Sequence, residues 1–393
     1  MMPFFVLNSK EISIITEFQL TLSCHSLFEK MMSLRNKSFL VKSGLLLFLL
    51  GCIPLWSLFG QNEQEEVLPS GPSNKISIDT ISLFLGGLPV EKKQSELLFD
   101  YEKTQSWQLY AASLEKQWQK RDLWSWKPIR DFSKEKLSRL IDPALPVFYP
   151  FSGPDLMFPL SLFPLATVYV LASREMPGRC PSLESVKTFE KTFPLILSSL
   201  HSYFKAGYFV TKELRQDLSL LGGNVPLFLI MIVRSGAKIV DCRTTASTTI
   251  IRFYSHGELK TLYYFQSDLS NGGIEDSLMR FLSSLGSFNT VIKSASYLLH
   301  GEGFSSLRGF LLSHSQAIVQ DDSGVPYRYL VGAGRKVFLF GVYTPPLNIF
   351  REFYQKDLEE AFASQDHEPL PFGFGYKWNP KEAGLIVAFK PEG

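Results

Sequence analysis

The stretch Val147–Glu175, "VFYPFSGPDLMFPLSLFPLATVYVLASRE", decides how the rest of the chain is read. "VFYP" is short, bulky and apolar, "SGPD" is a tight turn, and a short helical run between Phe-Pro pairs leads to a second apolar run, "TVYVLAS". Neither strand alternates apolar with polar residues.

The alternation continues outward. "CPSLESVKTFEKTFPLILSSLHSYFKAG" is helical with Pro194 inside it, and "FVTKELRQDLSLL" reads as more helix. "GGNVPLFLIMIVRSGAK" is a helix with Asn224 as its cap and Gly236 as its stop. "KIVDCR" is a strand, and "TTIIRFYSHGELKTLYYFQSDL" is a hairpin turning at His256-Gly257. Helices follow in "GIEDSLMRFLSSLG", "GFSSLRGFLLSHS" and "PPLNIFREFYQKDLEEAFASQ". Strands follow in "FNTVI", "QAIVQ" and "KVFLFGVY", with a final pair in "LPFGFGYKWNPKEAGLIVAFK". This pattern predicts an α/β domain over 141–393. It would be a Rossmann-like mixed, mostly parallel sheet with helices on both faces and antiparallel additions.

Residues 76–140 read as a helical N-terminal extension. "ISIDTISLFLGGLP" fits a strand or a short helix. Between Ser95 and Lys120, Leu98, Tyr101, Trp107, Tyr110, Leu114 and Trp118 recur at near-helical spacing, which predicts one amphipathic helix with an aromatic packing face.

The front of the chain has a different composition. Lys30, Arg35, Lys37 and Lys42 precede an uncharged run from Leu45 to Gly60, and "QNEQEE" follows it. A basic patch, an apolar run and a polar exit describe a signal peptide or membrane anchor over 31–60. Residues 1–30 are then an upstream extension, with Met31 or Met32 the natural start, and 61–75 are a linker. "LLGC" ends at Cys52, a candidate lipidation site resembling a lipobox. These features predict an extracytoplasmic body that meets a membrane through its N-terminal segment. In that compartment Cys180 and Cys242 either pair as a disulfide or remain two unrelated thiols. Lys plus Arg number 40 against 38 Asp plus Glu, so bulk charge does not favour nucleic acid.

Ligands of such sheets gather beyond the carboxyl ends of the strands. Ser152, Gly153 and Asp155 follow the first strand, and Arg174 and Glu175 the second. Asp268, Asn271 and Gly272 follow the hairpin, and Ser294, Ser296 and His300 the next strand. Asp321, Asp322 and Ser323 close "VQDDSG". Asp155, His300, Asp321 and Asp322 are the candidate catalytic groups. Ser152, Gly153, Glu175, Asp268, Asn271, Ser294 and Ser323 are the candidate binding groups. Against a phosphate site, Pro154 removes a backbone donor and Asp155 neutralises the helix end. Ser152 as helix cap with Pro154 as first helical residue is the simpler use of that turn. The six His include no H-E-x-x-H and no zinc-like spacing, so no metal site is assigned. No cofactor is named by any motif.

"VFYPFSG", helix, "TVYVLASRE" resembles the opening of S-adenosylmethionine-dependent methyltransferases, in which an acidic residue ending the second strand binds a ribose. Here that residue is Glu175. "SSLRGFLLSHSQAIVQDDSG" is similar to the helix and strand before that fold's closing hairpin. "FYPFSGPDLMFPLSLFP", "YYFQSDLSNGG", "SASYLLH" and "QDDSGVPYRY" together resemble a family of exported bacterial proteins described as lipoproteins. That resemblance implies export and a lipid anchor, and it carries over no catalytic residues. The sequence thus predicts an exported, envelope-associated binding or structural module. The alternative is an extracytoplasmic enzyme, a hydrolase or transferase, with its site on the strand ends.

Overall fold

The computed structural model describes residues 76–182, 189–209, 221–274, 276–365 and 367–391. The leader with Cys52, the linker and most of "FVTKELRQDLSLL" lie outside the described residues. Residues 72–393 make up one compact unit. Among the described residues, no helix is long and apolar enough to cross a membrane.

Nine strands form one sheet: β1 (Val147–Pro150), β2 (Val168–Ser173), β3 (Lys238–Thr244), β4 (Thr248–Ser255), β5 (Glu258–Gln266), β6 (Phe288–Ile292), β7 (Ser315–Gln320), β8 (Lys336–Gly341) and β9 (Gly384–Phe389). Their spatial order is β3-β4-β5-β2-β1-β6-β7-β9-β8. The central pairs β5/β2, β2/β1, β1/β6 and β6/β7 are parallel. The outer pairs β3/β4, β4/β5, β7/β9 and β8/β9 are antiparallel. Without the edge pair β3/β4, the strands of one direction, β5-β2-β1-β6-β7-β8, stand in the Rossmann order 3-2-1-4-5-6, with antiparallel β9 slipped between the last two. The order reverses between β1 and β6, so that point is where such a sheet opens a crevice.

Helices cover both faces. On one lie α1 (Ile78–Leu85), α2 (Glu96–Tyr101), α3 (Gln105–Arg121), α4 (Lys127–Glu135), α5 (Met157–Leu162), α6 (Phe189–Ala206) and α7 (Val225–Arg234). On the other lie α8 (Asp276–Ser284), α9 (Ser305–His314), α10 (Tyr327–Gly332) and α11 (Lys356–Ser364). Adjacent residues on a strand point to opposite faces, so Tyr149 and Leu171 join the first core while Phe148 and Val170 join the second. That division explains the absence of polar alternation. The helical segment before β1 shares the first core through Phe84, Leu114, Trp126 and Phe132.

The one helix expected over 95–120 is two. Thr104 restarts it by accepting a hydrogen bond from the Trp107 amide at 3.3 Å. Its buried face is the expected one, Trp107, Tyr110, Leu114 and Trp118. The helix expected over 345–365 is also broken, into a 3-10 turn at Asn348–Phe353 and then α11. Gln355 turns inward at the break. Its side chain accepts from the Tyr327 amide at 2.8 Å and donates to the Asp322 carbonyl at 3.0 Å. The closing pair of strands reduces to β9 alone, because Phe374 and Lys377 bond each other across a tight turn instead. Asn224 does not cap α7 with its side chain, and both its amide atoms are buried without partners. Cys180 and Cys242 are joined as a disulfide across 62 residues, tying the segment after β2 to edge strand β3.

Candidate functional site

The turn after β1 differs from the expected cap. Phe151 and Gly153 take positive φ of 60° and 53°, and the Ser152 hydroxyl donates to the Gly153 carbonyl at 3.0 Å. Helix α5 starts only at Met157, and Asp155 serves its first turn by accepting from the Phe158 amide at 3.3 Å. Asp155 also accepts from the Tyr203 hydroxyl at 2.7 Å and the Tyr149 hydroxyl at 3.2 Å, and it pairs with the ammonium of Lys293. Lys293, the first residue after β6, donates to the Gly207 carbonyl at 2.9 Å and sits 4.3 Å over the Phe158 ring. Burial pulls the Lys293 pKa down against the opposing charge of Asp155, and burial raises Tyr149 and Tyr203 well above the usual phenol range. The crevice at the order reversal is therefore filled by a buried ion pair and two tyrosines. Ser152, Gly153 and Asp155 act there as a plug.

The rim beyond β2 and β5 is tied in the same way. Arg174 pairs with Asp268 across the two loops. The backbone carbonyl of Glu175 accepts from the Tyr264 hydroxyl at 2.5 Å, and the Glu175 side chain is buried. Asn271 caps α9, accepting from the Ser306 amide at 3.0 Å and donating to the Glu302 carbonyl at 2.8 Å. These candidates hold loops together.

Beyond β6 and β7 the remaining candidates converge. Ser294, Ser296 and Tyr297 all adopt positive φ, 53°, 51° and 55°, a conformation that costs non-glycine residues strain and persists only when surroundings enforce it. The enforcement is visible. The Ser294 amide donates to Asp321 at 3.0 Å, the Ala295 amide to the Ser323 hydroxyl at 2.8 Å, and the Ser296 amide to the Tyr376 hydroxyl at 3.0 Å. Tyr376 in turn donates to the Ser294 carbonyl at 2.9 Å. Asp321 also accepts from the Ser323 amide and hydroxyl at 3.1 and 2.6 Å, while Asp322 turns away to accept from the Tyr297 hydroxyl at 2.5 Å. Burial and the neighbouring charge of Asp322 push the Asp321 carboxyl up. Gly375 closes over it, since a Cβ there would fall 1.8 Å from the Asp321 carboxylate.

This braced loop presents an aromatic wall. Tyr297 stacks on Phe353 with centroids 5.1 Å apart and planes 5° apart, and His300 meets both edge-on at 5.2 and 5.5 Å. Next to the wall lies a cleft of about 500 Å³ lined by His300, Arg328, Phe353, Gln355, Asp357 and Glu360 among others. The volume lies within the usual range of small-molecule sites. The Nε2 atom of His300 and the Oγ atom of Ser294 are buried without hydrogen-bond partners. Burial lowers the His300 pKa to about 4, so the ring is neutral at neutral pH and offers one donor and one acceptor. Among the described residues, no group of three His, Cys, Asp or Glu is arranged to hold a metal ion.

The two buried groups make opposite contributions to stability. The folded state keeps His300 neutral, so its contribution is full above pH 6.5 and is lost as pH falls toward 4. The loss is at most about 3 kcal/mol at 1.36 kcal/mol per pKa unit. Asp321 is raised, so its contribution is present in acid and lost as pH rises. Urea midpoints measured from pH 7 to 4 are expected to fall less for His300→Gln than for the native chain, and more for Asp321→Asn. Identical profiles in all three would remove both groups from the linkage.

The fold and this rim define a Rossmann-like α/β protein with a filled reversal point and an open cleft lined by His300 and Phe353. No family model, no curated protein and no solved structure matches the chain. Sequence reasoning missed Lys293, Phe353, Gln355 and Tyr376. Lys293 carried a signal, a cation set directly on the end of the apolar "FNTVI". The other three are brought to the rim by long-range packing and carried none.

Proposed function

We propose that this is an exported, envelope-associated binding module that takes its ligand in the His300–Phe353 cleft. The observation that carries the reading is that the Asp155–Lys293 plug fills the reversal point while a cleft stays open against the Tyr297–Phe353 wall. A nucleotide-type cofactor would need the reversal point, and ion-paired side chains occupy it. The cleft has the mixed lining that binding sites use, an aromatic wall with a few polar groups set around it. Export is supported by the leader composition and by the Cys180–Cys242 disulfide, since such bonds persist in oxidising compartments.

The enzyme reading keeps one specific support. The sheet ends in an antiparallel β8/β9 pair, the place of the closing strands in the methyltransferase-like fold, and Ser294 meets Asp321 on the strand ends. Against it, the Asp321 carboxylate is already used to brace the loop, accepting from the Ser294 amide and from the Ser323 amide and hydroxyl.

The test has two arms. Fractionated cells should yield the chain in the envelope, with Cys180 and Cys242 protected from alkylation until a reductant is added. Recovery from the cytosol with both thiols reactive would overturn export. Phe353→Ala with Arg328→Ala, both at the cleft, should leave the chain folded and lower its unfolding free energy by no more than about 3 kcal/mol, since Phe353 is only half-buried. The same variant should fail to complement a deletion strain. Full complementation would overturn the cleft as the working site.

A further inference from the structure

Helix α3 packs one face on the core and leaves the other to solvent. Its buried residues, Trp107, Tyr110, Leu114 and Trp118, face the sheet. At 100° per residue, Leu109, Ala112, Lys116 and Lys120 fall on the opposite side, and Leu123 continues the line. All five are exposed, with Leu109 at 65% and Leu123 at 64%. A π-helical turn at Asp122–Trp126 then throws Trp124 outward to 71% exposure. π turns are rare and recur at functional positions.

Charge on this strip has one sign. Lys116 and Lys120 have no ion-pair partner among the described residues. The two nearby acids face elsewhere and are used, Glu115 by Arg234 and Asp122 by Arg130. A helix face that mixes leucine, tryptophan and unpaired lysine without acid is the pattern of interfacial helices on anionic bilayers. The position in the chain agrees. The uncharged run Leu45–Gly60 is joined to the body by residues 61–75, a spacer whose fully extended reach is about 50 Å.

We infer that the α3–π turn surface, with Leu109, Lys116, Lys120, Leu123 and Trp124, docks on the headgroup layer of an anionic membrane. Trp124 and Leu123 enter the interface and the two lysines meet lipid phosphates. The envelope reading bears only on which bilayer is met. The contact itself rests on this surface.

Full-length protein reconstituted in vesicles tests it. Tryptophan emission is recorded with brominated lipid as quencher, and the Trp124→Phe spectrum is subtracted so that Trp56 of the leader and the other tryptophans cancel. In phosphatidylcholine vesicles containing phosphatidylglycerol, the Trp124 component is expected to be blue-shifted and quenched. In phosphatidylcholine alone it should stay unquenched. Lys116→Ala and Lys120→Ala should each weaken the contact about fivefold, the equivalent of about 1 kcal/mol per lysine. An unquenched Trp124 component in both vesicles would overturn the proposal, even with Trp56 quenched in the leader. Equal quenching in both would overturn the anionic partner. Complementation by the Phe353 variant and this spectrum move independently, so the two readings fail separately.

Discussion

Asp155→Ala should cost about 3–5 kcal/mol of unfolding free energy, the usual result of leaving one member of a buried ion pair alone. Lys293 is 5% exposed and Asp155 2% by side chain, so the orphaned ammonium has no route to water without moving the plug. Two tyrosine hydroxyls and the Phe158 amide lose their acceptor at the same time. The double variant Asp155→Ala, Lys293→Met removes both charges and restores apolar volume. It is expected to recover much of the loss, since replacing such a pair by hydrophobic groups is often near neutral. A double-mutant cycle from urea unfolding measures the coupling directly. The outcome also separates two roles for Asp155. If the single variant keeps native stability but loses function, Asp155 is a working group and the crevice is open to ligand in solution.

The plug shows how far the sequence could be read. Strand and helix identities were legible because the apolar runs are long and bounded by Gly, Pro and Phe-Pro punctuation. The carboxyl-end rule also gathered Ser294, Asp321 and Ser323, which hydrogen-bond to one another. What the linear chain does not carry is which polar corners remain open. In the linear chain Asp155 is a charge at a helix end beside Pro154. Its partners Tyr203 and Lys293 lie 48 and 138 residues away and arrive only through α6 and β6. Adjacent Asp321 and Asp322 point apart, and the partners that fix each of them, Ser294 and Tyr297, come from another loop. The failed cap at Asn224 has the same origin. Backbone donors there are met by the Met176 and Pro177 carbonyls, and those contacts need the close glycine crossing of Gly178 on Gly223.

Removing the disulfide is the second large effect. With 62 residues between its ends, Cys180–Cys242 lowers the entropy of the unfolded chain by an amount equivalent to about 4 kcal/mol, and Cys180→Ser with Cys242→Ser should lose most of it. The location of the bond sharpens the expectation. It anchors edge strand β3, held on only one side by β4, to the loop leaving β2 near the centre of the sheet. Without it, exchange of the β3 and β4 amides should rise more than that of β1, β2 and β6. The reason is that local opening of the edge no longer has to drag the sheet centre with it. A reductant should reproduce the double variant in the native chain and do nothing to the variant itself. If the reduced protein keeps its midpoint and its edge protection, the bond contributes nothing to the fold, and the strongest structural support for an oxidising compartment goes with it.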